Sequence, residues 1–177
     1  MQPISTRARR ALRSTKPAAC SNKKVVTHSP ESSRHILRHA VATVRYRAGK
    51  SLRDAPADFE HFKIAETVRT PLQILAHIGD LFDWALSMSQ GSGQWVEAAP
   101  LPWHEEIERF HHSLNAFDHL LESEAHLAAP IDRLLQGPVA DALTHVGQLA
   151  TLRRLAGMPI KSENYFKAAI TPGPHQP

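Results

Sequence analysis

The chain has 177 residues, 42% of them apolar, which is enough for one domain with a single core. Aromatic residues are few, at 6%, and the single cysteine, Cys20, excludes an internal disulfide framework. No uncharged apolar run reaches bilayer length, so no membrane-spanning helix is predicted.

The isoelectric point near 9.5 misdescribes most of the chain. Seven of the 21 Lys and Arg residues lie in residues 1–30, which hold none of the 17 Asp and Glu residues. The remainder therefore carries 21 less 7, or 14, basic residues against 17 acidic ones, a formal charge of −3. A mildly acidic body argues against a fold built around nucleic-acid binding, leaving at most a non-specific contact by the basic leader. Residues 1–30 are rich in Arg, Lys and Ser, lack an apolar segment, and are predicted to be a disordered leader. A secretory signal is excluded by the missing apolar region. A transit peptide, which would place the protein in an organelle, suits the composition as well as a functionless leader on a cytoplasmic protein does. The expected divisions are residues 1–30 (leader), 31–170 (helical domain) and 171–177 (flexible end).

The first helix is predicted from Ser32 to Lys50, with Ile36, Leu37, Ala40, Val41, Val44 and Ala48 inward. His35 and His39, four apart, fall largely outside that arc and are expected in solvent. Residues 51–69 form a connection anchored by Phe59, Phe62 and Ile64, long enough to line a site. Thr70-Pro71-Leu72-Gln73 marks the sharpest start in the chain: Thr70 as N-cap, Pro71 in the first position and Gln73 completing a capping box. This second helix runs to about Met88 with Ile74, Leu75, Ile78, Leu81, Phe82 and Ala85 inward. His77 falls at the edge of its apolar arc.

A loop from Gly91 to Pro102 leads to a third helix, Trp103 to Leu127. Its seam comprises Trp103, Ile107, Phe110, Leu114, Phe117 and Leu121, and Glu105, Glu106 and Glu108 suit the positive end of its dipole. His112, His119 and His126 repeat every seven residues on the far side and are expected in solvent. After a short helical stretch, Pro138 is predicted to start the last helix, which Gly157 ends. Val139, Ala142, Val146, Leu149 and Ala150 form its apolar stripe. Asp141 and His145 stand one turn apart beside that stripe. Such a pair can share a metal ion, or can simply lock a partly buried histidine by a hydrogen bond. Its place near the helix start would favour ionised Asp141. Four amphipathic helices predict an all-α fold, most economically an antiparallel four-helix bundle, in which sites are built from inward residues on facing helices.

The run Arg69-Thr70-Pro71 to His77, with Leu81 and Trp84, resembles the second helix of the DinB/YfiT-like four-helix-bundle metalloproteins. Asp141-Ala142-Leu143-Thr144-His145-Val146-Gly147-Gln148 resembles their late motif, H-x-x-H-H-R-G-Q. The resemblance covers roughly residues 31–170. It implies that His77 and His145 are metal ligands and that Asp141 takes the third ligand position. A carboxylate there has a parallel in the mycothiol-dependent isomerase branch. Val146 stands where the motif has Arg, so that arginine's role is not carried over. The resemblance further implies a divalent ion (Zn, Ni or Fe), a small-molecule substrate, a low-molecular-weight thiol as co-substrate in some members, and often a homodimer.

Three protein ligands leave a position open, the mark of a catalytic zinc site, and two His with one carboxylate also match non-haem Fe(II). A hydrolase or a thiol-dependent transferase or isomerase, working through a metal-bound water or thiolate, is the leading expectation. Gln148, one turn beyond His145, is the candidate catalytic residue, placed to bond water or substrate. Tyr46, Lys50, Trp84, Glu163, Asn164 and Tyr165 are candidates for lining the pocket. A metal- or partner-binding bundle without catalysis, such as a sensor or dimerisation module, is the alternative.

Overall fold

A computed structural model describes residues 30–56 and 58–174; the leader and the last three residues lie outside them. The fold is all-α, and no strand occurs among the described residues. Its principal helices are α1 (Pro30–Leu52), α2 (Pro71–Ser89), α3 (Trp103–Glu122) and α5 (Ala140–Leu155), with the single turn α4 (Ile131–Leu134) between the last two. No helix among the described residues is long and apolar enough to cross a membrane.

The start of α2 is fixed locally. The Gln73 N–H donates to Thr70 Oγ1 at 3.2 Å, and the Thr70 N–H donates to Gln73 Oε1 at 2.9 Å. Two donors that a helix start leaves unpaired are thereby satisfied. The apolar positions of α2 then fall where their spacing puts them: Ile74, Leu75, Ile78, Leu81, Phe82 and Ala85 are all buried. They meet Val41 and Val44 of α1, Phe110, Leu114 and Phe117 of α3, and Ala142 and Leu149 of α5 in one core. Each large side chain so enclosed contributes about 1.5–3 kcal/mol by leaving water.

Cross-contacts order the helices. α1 and α2 each pack on both α3 and α5. Along α1, Arg34 reaches the Ser123 carbonyl, Arg38 reaches Asp118, and Arg45 reaches Asn115, so α1 and α3 run in opposite directions. Arg109 lies at Ala76 while Phe117 lies at Phe82, so α2 and α3 run the same way. This parallel pair departs from the antiparallel bundle expected from the sequence, and it needs a return path. The 19 residues of α2 span about 28 Å, which an extended segment from Gln90 to Pro102 covers with length to spare. That segment is the reason a loop crosses the face of α2.

Four further expectations need correction. Ile36 is 52% exposed, while Leu37, Val41, Val44 and Ala48 of α1 turn inward. Ile64, expected to anchor its connection, is 53% exposed, and Phe59 fills that role instead, its ring 6.1 Å from that of Trp103. α3 ends at Glu122, five residues early. Arg34 takes the Ser123 and Ala125 carbonyls there, and the Ala128 N–H turns back to the Ser89 carbonyl. His126 is therefore off the helix. Lastly, Pro138 does not start a helix. It lies inside a π-helical turn, Leu135–Val139, that joins α4 to α5 without a break. Proline lacks the N–H that an α-helix interior requires and crowds the carbonyl four residues back. A wider turn accommodates both defects. Asp141 is thus ten residues into a helical run, and the dipole at a helix start does not act on it.

Candidate metal centre

His77 faces α5 from the second turn of α2, and Asp141 and His145 face α2 one turn apart. His77 Nε2 lies 3.7 Å from Asp141 Oδ2, and His145 Nε2 lies 3.5 Å from Asp141 Oδ1. One ligand atom from each residue falls within 4.8 Å of the others, so the group could hold a metal ion. The two imidazoles stand nearly perpendicular, at 88°, with centroids 4.6 Å apart.

These separations are informative because they are too long for hydrogen bonds, which end near 3.2 Å. The observed 3.5 and 3.7 Å run to the two different oxygens of Asp141, so the three side chains converge without hydrogen bonds between them. His77 points the same way. Among the described residues its Nδ1 is buried without a partner and its Nε2 makes no hydrogen bond. Burial pushes its pKa down, helped by the positive charge of Arg69 and by His145, against the pull of Asp141 and Asp80. The neutral imidazole so favoured is the ligating form.

His145 has its orientation fixed from behind. Its Nδ1–H donates to Gln148 Oε1 at 2.9 Å, which leaves the Nε2 lone pair facing the cluster. Gln148, singled out as a catalytic candidate, thus sits against the ring nitrogen that points away from the three ligand atoms. Val146 is buried in the core.

The histidine side chains are 15% and 11% exposed, and that of Asp141 is 46% exposed. The centre is therefore closed on the histidine side and open on the carboxylate side. A cavity of about 440 Å³ beside Asp141 is lined by Leu81, Trp84, Gly137 and Ala140. Gln136 and Gly137 of the π turn lie on its wall. A second cavity, of about 760 Å³, borders His145 and is walled by Val68, Arg69, Ile74, Thr144, Gln148 and Leu152. The 53–70 connection supplies Ile64, Thr67 and Val68 to that wall. Such cavities suit a small-molecule ligand.

The returning loop adds a third wall. Trp95 packs edge-on against His77, 5.7 Å between centroids, and against Trp84 at 5.6 Å. Beneath it lies a charged network. Arg109 bonds Asp80 Oδ1 at 2.9 Å, Glu106 Oε1 at 2.7 Å and the Ala76 carbonyl at 2.7 Å. Burial works against its charge, and the bonds to Asp80 and Glu106 more than offset this, so its pKa is raised. The free oxygens of the two carboxylates accept the loop's Ala98 and Leu101 N–H groups. One guanidinium thereby fixes α2 to α3 and ties down the loop that carries Trp95.

Sequence reasoning missed Asp80, Glu106, Arg109 and Trp95. Glu106 was read only as suiting the helix dipole, yet it is fully buried. Asp80, three residues after His77 on an apolar face, was the available signal. Of the candidates for lining the pocket, Trp84 is beside Asp141. Tyr46, Lys50 and Glu163 come together elsewhere, in a cavity between α1 and the C-terminal segment that shares no lining residue with the metal cluster. The five histidines expected in solvent, His35, His39, His112, His119 and His126, are all exposed. Comparison of the chain with protein-family models, with curated proteins and with solved structures gives no match.

Proposed function

We propose that this protein is a metal-dependent enzyme acting on a small molecule, with one divalent ion held by His77, Asp141 and His145. The observation that carries the reading is the convergence of three ligand atoms from two helices, with His77 left without a hydrogen bond among the described residues. In this reading the fold is a four-helix bundle of the DinB/YfiT-like kind, with α2 and α3 parallel, and the late-helix motif supplies two of the ligands. A divalent ion there provides Lewis acidity toward a water or a thiolate, which suits hydrolysis or thiol-dependent transfer or isomerisation. The chain's own residues do the rest. Gln148 sets the tautomer and angle of His145, Trp95 shields His77 from water, and Asp141 keeps the exposed side anionic. Arg69, Thr144 and Gln148 offer polar contacts to a substrate in the larger cavity.

Elemental analysis of protein loaded with Zn, Ni or Fe(II) and then desalted tests the reading. About one ion per chain is expected. His77→Ala and His145→Ala each abolish tight binding, and Asp141→Asn weakens it. A small thiol should alter the visible spectrum of the cobalt form, as an open coordination position requires. A metal content near zero under reducing, chelator-free conditions refutes the proposal.

A further inference from the structure

A second site is suggested by an unusual cation. Arg45, in the middle of α1, is only 8% exposed. A buried guanidinium ordinarily sits against a carboxylate, because its charge is costly to remove from water. Arg45 has none. Its partners are the neutral carbonyl of Gly173 and Asn115 Oδ1 at 2.9 Å, and its Nε is buried with no partner. Asp118, the carboxylate that acts on it through space, is already taken by both donors of Arg38 at 3.1 Å. Burial accordingly pushes the Arg45 pKa down.

Arg45 borders a cavity of about 770 Å³ between α1 and residues 161–174. Three more cations, Lys50, Arg53 and Lys161, line the same cavity against one carboxylate, Glu163. Glu163 is used up locally, accepting from both Tyr46 Oη at 2.7 Å and Lys50 Nζ. Arg53 and Lys161 make no ion pair among the described residues. A cavity with three uncompensated cations, one of them buried, is electrostatically incomplete.

We propose that this cavity binds a small dianion, a phosphate-type or dicarboxylate group, with Arg45 at its base and Arg53 and Lys161 at its rim. The bound anion bridges α1 and the C-terminal segment, supplying the counter-charge that Gly173 and Asn115 cannot. Cations converging from a helix and a separate segment form a three-dimensional grip, which a dianion fills better than chloride. The proposal does not depend on the metal centre, which lies among other residues.

Inorganic phosphate and succinate are the probes, each compared with sodium chloride at equal ionic strength by thermal melting and by equilibrium dialysis with labelled ligand. At ten times its dissociation constant a ligand of the folded state should raise the melting temperature by about 3 °C. Phosphate also stabilises proteins generally by exclusion from their surfaces, so a variant control is essential. The double variant Arg53→Gln/Lys161→Gln changes only exposed rim residues and should melt like the parent in chloride. It should lose most of the phosphate or succinate gain and at least tenfold in affinity. Arg45→Met should lose binding altogether, and the rim variant carries the test if Arg45→Met does not fold. A gain from either probe that depends on the rim supports the proposal and says which anion is preferred. It is overturned if neither probe exceeds chloride, or if the double variant shows the same gain.

Discussion

Replacing Arg109 by methionine should destabilise the protein more than any surface change. Methionine keeps the aliphatic bulk and removes the charge. The side chains left behind, Asp80 at 3% exposure and Glu106 at 0%, would be buried carboxylates without a counter-ion. Removing one member of a buried ion network costs about 3–5 kcal/mol. Each carboxylate keeps one backbone N–H, from Ala98 at 3.3 Å and Leu101 at 2.9 Å, which places the expectation at the lower end, about 3 kcal/mol. Asp83 also touches Arg109, at 3.4 Å, but its side chain is 52% exposed. Asp83→Asn should therefore change stability by under ~0.5 kcal/mol. Urea unfolding of the three proteins, followed by far-ultraviolet circular dichroism, gives both differences. Because the same guanidinium anchors the loop over His77, near-ultraviolet circular dichroism should also report loosened Trp95 packing. A loss below about 1 kcal/mol in Arg109→Met would refute the reasoning, since a network that matters cannot be worth less than one ordinary hydrogen bond.

Three further outcomes are expected. Gly79→Ala places a methyl group 3.0 Å from Arg109 Cζ, against a guanidinium pinned by Asp80 and Glu106, and should cost about 1–3 kcal/mol in the same unfolding assay. Replacing His35, His39, His112 or His119 by Gln should leave metal content unchanged and move stability by less than ~0.5 kcal/mol, as elemental analysis and urea unfolding would show. The C-terminal segment should detach in acid. Hydrogen bonds from Lys50 and Tyr46 hold the Glu163 pKa below its ordinary value, so the stabilisation is complete above the unfolded carboxylate pKa and is lost as pH falls through the folded one. Hydrogen exchange of residues 158–174 should rise across that acid window in the parent and be insensitive to it in Glu163→Gln.

How far the fold and the site could be read in advance follows from how local each signal is. The cap at Thr70 was legible because its two hydrogen bonds join residues three apart. The inward faces of α2 and α3 were legible because a 3.6-residue period acts over the whole helix. His77 was separately visible as an imidazole on an apolar arc, and Asp141 with His145 as a one-turn pair. Their meeting depends on helix packing that periodicity does not specify. Arg109 shows the opposite limit: its partners Ala76 and Asp80 lie 33 and 29 residues away, and nothing near Arg109 in the chain marks it as partly buried. Pro138 misled for a physical reason. A proline is as acceptable in the first turn of a helix as in a π turn, since neither place asks for its missing N–H. Sequence alone does not say which applies.

The π turn also means that the last helical run is assembled from two segments whose phases are set separately. One residue more than an α-helix needs is taken up between Leu134 and Ala140, and each residue of an α-helix turns the chain by about 100°. Deleting Gly137 would remove that extra residue and leave Pro138 inside an α-helical run, where its missing N–H is costly. It would then swing Leu134, now fully buried, a quarter-turn off the core while Asp141 and His145 kept their alignment with His77. The joint lets the segment that plugs the bundle drift in sequence without rotating the ligands. In mechanical terms it is a clutch between two cams on one shaft, and the ligand-bearing cam is the one keyed to α2.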